Sequence, residues 1–108
     1  MNNFDDIIQK LIAFRDERNW KQFHTPENLA KSISIEAGEL LECFQWNSKD
    51  NNLNNITQEL ADVLIYCFYL ADYYNLDIEE IINKKIEINN TKYPINKSKN
   101  NCLKYNKF

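Results

Sequence analysis

One glycine and two prolines in 108 residues leave this chain few places to turn sharply. Gly and Pro are the strongest local breakers of regular structure, so a chain this poor in them is badly suited to a meander of short strands. Long elements are expected, and the apolar spacing says that they are helices. Ile7, Ile8, Leu11, Ile12 and Phe14 recur at helical steps and predict a helix from Asp5 to Asn19, with Asp5 as its candidate cap. Thr25 followed by Pro26 has the form of an N-cap and first-turn proline. It opens a second helix through Leu29, Ile33, Leu40, Leu41 and Phe44, ending near Trp46.

The polar run from Asn47 to Asn55 is a loop by composition, and a third helix is expected from Ile56 to Tyr74. Leu60, Val63, Leu64, Cys67, Phe68 and Ala71 cover most directions of its wheel, the pattern of an element surrounded by other helices. Asp77 with Glu80 has capping-box spacing and opens a fourth helix through Ile81, Ile82 and Ile86, which Tyr93-Pro94 closes. The residues predict an all-α fold of four helices centred on the third, with a Lys- and Asn-rich tail.

Hydrophobic content of 44% and charged content of 27% suit one globular domain spanning residues 1–108. The net charge of −3 provides no basic field, which argues against a nucleic acid polymer as partner. No basic start precedes an apolar run, and no stretch approaches the roughly 20 apolar residues of a membrane span, so a cytoplasmic location is expected. Cys43, Cys67 and Cys102 are odd in number and lack metal-site spacing, which disfavours both a disulfide framework and a zinc site. Cys43 and Cys67 read as small core residues.

The chemistry concentrates in four acids. Glu36 and Glu39 are three apart on the second helix, Glu59 and Asp62 three apart on the third, so each pair leaves one side of its helix. At about 100° per residue Glu36 falls at the margin of the apolar arc and Glu59 beside Val63 and Leu70, which turns both toward the interior. Carboxylates converging in a bundle repel one another unless a positive charge compensates, and hard oxygen ligands suit Mg²⁺ or Mn²⁺. ExxE and ExxD pairs are also common on solvated helix faces. The third helix, however, has so little polar surface that Glu59 and Asp62 are hard to explain as its wet side.

Longer stretches carry a resemblance. Arg18 through His24 (RNWKQFH), Asn28-Leu29, Glu36 through Trp46 (EAGELLECFQW), Glu59 through Tyr66 (ELADVLIY) and Lys92-Tyr93-Pro94 together resemble the MazG-like, all-alpha NTP pyrophosphohydrolases, in detail their dCTP pyrophosphatase branch. The resemblance implies that Glu36, Glu39, Glu59 and Asp62 hold Mg²⁺ and carry catalysis. It also implies that Trp20, His24, Trp46, Tyr66, Lys85 and Asn89 line a nucleotide pocket, that residues 95–108 close over the site through Lys104-Tyr105, and that the protein is a homodimer or homotetramer. The reaction implied is hydrolysis of a (deoxy)nucleoside triphosphate to monophosphate and pyrophosphate, with dCTP-like pyrimidine substrates and nucleotide-pool sanitation as its purpose. Alternatives are a dUTP or phosphoribosyl-nucleotide pyrophosphohydrolase, or a non-catalytic helical module that binds a partner through its acidic edge. The sequence departs from the dCTP-preferring animal relatives at Leu11, where they have a histidine, and at Lys99-Asn100, where a basic residue followed by glycine is usual.

Of the remaining residues, His24 is the only histidine, and alone it reads as a surface or cap-region residue. Trp20 and Trp46 alone read as core or interface aromatics. Lys84 and Lys85 diverge by about 100°, so at most one faces a pocket, and Lys85 is the choice. Glu42 is expected beyond the metal's immediate ligands or at the surface.

Overall fold

The structure, a computed structural model, describes residues 3–46 and 52–108, and these are helical with no strand. Its elements are α1 (Asn3–Glu17), a 3-10 turn (Lys21–Phe23), α2 (Pro26–Glu42), α3 (Leu53–Tyr73), α4 (Ile78–Lys92), the one-turn α5 (Ile95–Ser98) and a closing 3-10 turn (Tyr105–Lys107). The expected all-α class is borne out, and among the described residues no helix is long and apolar enough to cross a membrane.

Caps set the helix boundaries. Thr25 Oγ1 accepts from Asn28 N at 3.2 Å with Pro26 in the first turn, as its spacing predicted. α2 stops at Glu42, before Trp46, because Phe44 N and Gln45 N bond back only three residues, to Leu41 O and Glu42 O, and tighten the chain out of the helix. α3 starts earlier than its composition suggested, since Asn52 Oδ1 accepts from Asn54 N and Asn55 N and makes Asn52 the cap. Residues 47–51 of the expected loop lie outside the described residues. Half of the capping box at α4 forms: Glu80 N donates to Asp77 Oδ1 at 2.9 Å, but the Glu80 carboxylate pairs with Lys84 Nζ at 3.1 Å.

Two compact units follow one another, the first ending at Leu76 and the second starting at Asp77. In the first, α2 and α3 form the main helix pair and α1 packs on α3, so α3 is central there, as its all-round apolar wheel implied. Leu29, Tyr69 and Ala71 are buried in this unit, while Leu60 and Leu64 stay close to half exposed. The unit turns from α1 to α2 through Asn19 and leaves α3 through Asn75, both at φ 54°, left-handed positions that asparagine tolerates. In the second unit the chain end folds back on α4: Tyr105 and Phe108 meet Tyr93 edge-on at 5.9 and 5.8 Å, and Lys92 lies over the Tyr105 ring.

Candidate active site

Packing α2 along α3 brings together the acids that three-residue spacing had put on one side of each helix. One carboxylate oxygen from each of Glu36, Glu59 and Asp62 lies within 4.8 Å of the others, all three side chains being half-buried. Glu39 stands at the exposed edge of the same cluster, near enough for its carboxylate to share a proton with Glu36 and with Glu59.

The electrostatics follow from that crowding. Burial first, then the hydrogen bond and charge of Glu39 and the charges of Asp62 and Glu59, push the Glu36 carboxyl up to about 7. Glu59 is also raised, by burial and then by Glu39, Asp62 and Glu42. Glu42 itself is exposed, in keeping with the outer place expected for it. Among the described residues no lysine or arginine forms an ion pair with any of the four acids. Glu36 Oε2 and Glu59 Oε2 are buried and have no hydrogen-bond partner. A buried, unpartnered carboxylate oxygen is costly. An all-oxygen donor set with two such atoms fits a hard divalent cation, which would satisfy them and remove the repulsion together.

Next to the acids lies a cavity of about 260 Å³. Leu11 and Phe14 of α1 form one side, Trp20 and His24 of the connector close it, and Ile65, Tyr66 and Tyr69 of α3 form the other. Asp62 lines the cavity and also belongs to the acid cluster, so the two regions adjoin at its side chain. A second hollow of about 220 Å³ shares Trp20, His24 and Tyr66 and reaches Asn28 and Ser32 of α2. The Tyr66 phenol is raised by burial and by the charges of Glu36, Asp62 and Glu39, which ties it to the acidic edge. His24 Nδ1 is buried without a hydrogen-bond partner, and burial and the nearby Arg15 charge lower its pKa, which leaves the ring neutral near pH 7.

Seven of the ten sequence-predicted site residues therefore meet: the four acids with Trp20, His24 and Tyr66. Trp46 is 88% exposed, at the end of the described part of its segment, and is not among the residues that line the two hollows beside the acids. Lys85 and Asn89 stand four apart on one face of α4, exposed, in the second unit. Lys84 is held by Glu80, whereas Lys85 has no ion pair among the described residues. Cavity roles for Phe14, Ile65 and Tyr69 were not anticipated, because each has the ordinary look of a core residue. The available signal was their register with an acid: Asp62, Ile65, Tyr66 and Tyr69 follow one another at three- and four-residue steps along one face of α3.

Comparison with known proteins agrees with this geometry. The MazG-like family model matches residues 31–108. dCTP pyrophosphatase 1 of Rattus norvegicus and that of Homo sapiens are each 34% identical over 110 residues, covering 94% of this chain. The chain spans 65% of the length of these relatives. Among solved structures, a pyrophosphatase from Archaeoglobus fulgidus superposes with a TM-score of 0.80 at 39% identity, covering 87% of this chain and 94% of its own. With the family model matching most of its length and α2 and α3 carrying the acid cluster, the chain belongs to the MazG-like family.

Proposed function

We propose that this protein is a nucleoside triphosphate pyrophosphohydrolase, cleaving between the α and β phosphates to release monophosphate and pyrophosphate. The observation that carries the reading is the convergence of Glu36, Glu59 and Asp62 within 4.8 Å, directly beside an aromatic cavity. Its dCTP pyrophosphatase relatives and the pyrophosphatase structure support the reaction class. Residues 1–108 act in this reading as one functional domain.

Glu36, Glu39, Glu59 and Asp62 would hold Mg²⁺, or Mn²⁺ in its place. Bound there, the ion would neutralise phosphate charge and lower the pKa of a water. The side chains have separable roles. A carboxylate such as Glu39, at the exposed edge of the cluster, would take a proton from the attacking water. Trp20 and Tyr66 offer aromatic faces for a base, and the neutral His24 offers a hydrogen bond from inside the cavity wall. Lys85 would offset phosphate charge and Asn89 read polar edges of base or sugar, with the tail from Ile95 to Phe108 closing over the substrate. A dCTP-like pyrimidine is the favoured substrate, nucleotide-pool sanitation the purpose, and the cytoplasm the site of action.

A homo-oligomer belongs to the same reading. Leu60 and Leu64 on α3, Ile35 and Leu41 on α2 and Trp46 beyond it are all between 46% and 88% exposed in the single chain, an apolar surface that a second copy would cover. Pyrophosphate release across the eight common NTPs and dNTPs in Mg²⁺ tests the function. Release with dCTP leading the series is expected, and no release with any of them would leave only the non-catalytic module.

A further inference from the structure

Arg15 is the only buried charged residue among the described residues, its side chain 8% exposed. It sits behind the aromatic cavity and belongs to no role assigned above. Its Nε donates to Asp16 Oδ1 at 2.9 Å, and its Nη1 reaches across to α3, to Asp72 Oδ2 at 3.4 Å. Its backbone carbonyl also shapes the connector, accepting from Arg18 N at 3.2 Å and Trp20 N at 3.0 Å as the chain turns through Asn19. Trp20 thus leaves α1 on a backbone bond to the residue whose side chain reaches α3.

One turn earlier a parallel tie joins the same two helices. The Tyr69 hydroxyl donates to Leu11 O at 2.8 Å, and Tyr69 and Asp72 are three apart on α3. Tyr69 is 5% exposed, and its ring lies 4.8 Å from that of His24. Arg15, His24, Tyr69 and Asp72 together wall a further hollow of about 330 Å³. Of the side chains that close the base cavity from this end, Tyr69 is held by one of the two ties and the His24 ring rests against it. Removing a tie lets α1 and α3 separate by small amounts, and the cavity between them widens before the fold itself is lost.

We propose that Arg15 is a positioning residue. Paired with Asp72 and acting beside the Tyr69 hydroxyl, it sets the gap between α1 and α3 and the stance of Trp20 and His24, and so governs nucleotide affinity without touching the nucleotide. The inference rests on the reading of that cavity as the base pocket.

The full-length chain is assayed as wild type, Arg15→Met, Arg15→Lys and Tyr69→Phe, by pyrophosphate release from dCTP in Mg²⁺, with Mn²⁺ affinity measured in parallel. Arg15→Met is expected to raise KM about tenfold with kcat within about twofold and Mn²⁺ affinity unchanged, and Arg15→Lys to recover part of the loss. Tyr69→Phe, which deletes a single oxygen, is expected to raise KM about threefold. His24 is the sole histidine, so its ring signals in an NMR spectrum report its stance without ambiguity. They are expected to shift in Arg15→Met, with the titration midpoint moving up once the cation is gone. A role in stability alone would lower the melting temperature and leave KM where it was, and would leave the histidine signals unmoved in Tyr69→Phe, which keeps the Arg15 charge; that result overturns the proposal. Should Arg15→Met not fold, Tyr69→Phe decides by the same readouts. If the wild type releases no pyrophosphate, the catalytic reading fails, and the histidine spectrum of Tyr69→Phe still decides the positioning role.

Discussion

The acidic edge and the aromatic cavity meet at Asp62 and are built on opposite physics. The cavity is mostly satisfied as it stands: Phe14 and Trp20 meet edge-on at 5.8 Å, Arg18 lies 3.6 Å over the Phe14 ring, and the Tyr69 hydroxyl is bonded, with His24 Nδ1 left unpartnered in its wall. The acidic edge is not, since the Glu36 and Glu59 carboxyls are pushed up by burial and by their acidic neighbours, and a buried oxygen of each has no partner. One half of the site is preorganised and the other is unfavourable until a cation joins it. Binding of substrate and binding of metal should therefore separate under mutation.

The sharpest break is at the acids. Asp62→Asn and Glu59→Gln keep the size of the side chain and remove the charge, and each is expected to lower kcat on the order of 10³-fold with the helical circular dichroism unchanged. Full activity in both would remove the acids from the chemistry. In the cavity the loss should take another form: Trp20→Ala is expected to raise KM about tenfold, the scale of one lost base-stacking contact, with kcat much less affected. A fall in kcat at constant KM would erase the division of labour.

Next in size is a pH effect confined to the acidic edge. The Glu36 carboxyl has its usual value of 4.5 when unfolded and about 7 in the fold. Below the lower value both states are protonated and the fold carries no penalty. As pH rises through about 7 the ionised carboxylate must be accommodated among its neighbours, and stability is lost. In the presence of a chelator, wild type should therefore melt lower than Glu36→Gln at about pH 8 by on the order of 5 °C, and level with it near pH 4. Added Mg²⁺ should close the gap at the higher pH by satisfying the same oxygens. A difference that stays flat with pH would mean that the carboxylates are not crowded.

The two regions also differ in how far they could be read from residues alone. Spacing gives the acids away, because three-residue steps on two helices leave little choice of direction, and the scarcity of polar surface on α3 turns Glu59 and Asp62 inward. The cavity is opaque by the same logic: Phe14, Ile65 and Tyr69 are apolar residues at helical spacing and look no different from packing. Only the resemblance singled out Trp20, His24 and Tyr66. Arg15 is missed entirely, since an arginine near the end of a helix reads as a surface cation, and its burial depends on Asp72, 57 residues away. Helix ends were legible where a capping side chain stands at the head of an apolar run, as at Thr25 and Asp77, and shifted at Asn52, a cap within a polar run, and at Glu42, where backbone bonds alone close the helix.

Trp46 is the smallest test and bears on where the site ends. The resemblance put it in the pocket, and it stands 88% exposed past the end of α2, apart from the residues that line the two hollows beside the acids. A side chain so exposed contributes little to its own chain's fold, so at high dilution Trp46→Ala should change stability by no more than about 0.5 kcal/mol. If two copies cover it, concentration enters: the wild-type melting temperature should rise with protein concentration by mass action, and the variant's should rise less. Melts over a hundredfold range of concentration distinguish the cases. Parallel curves for the two proteins would mean that no second copy rests on Trp46, and the oligomer would then need another face.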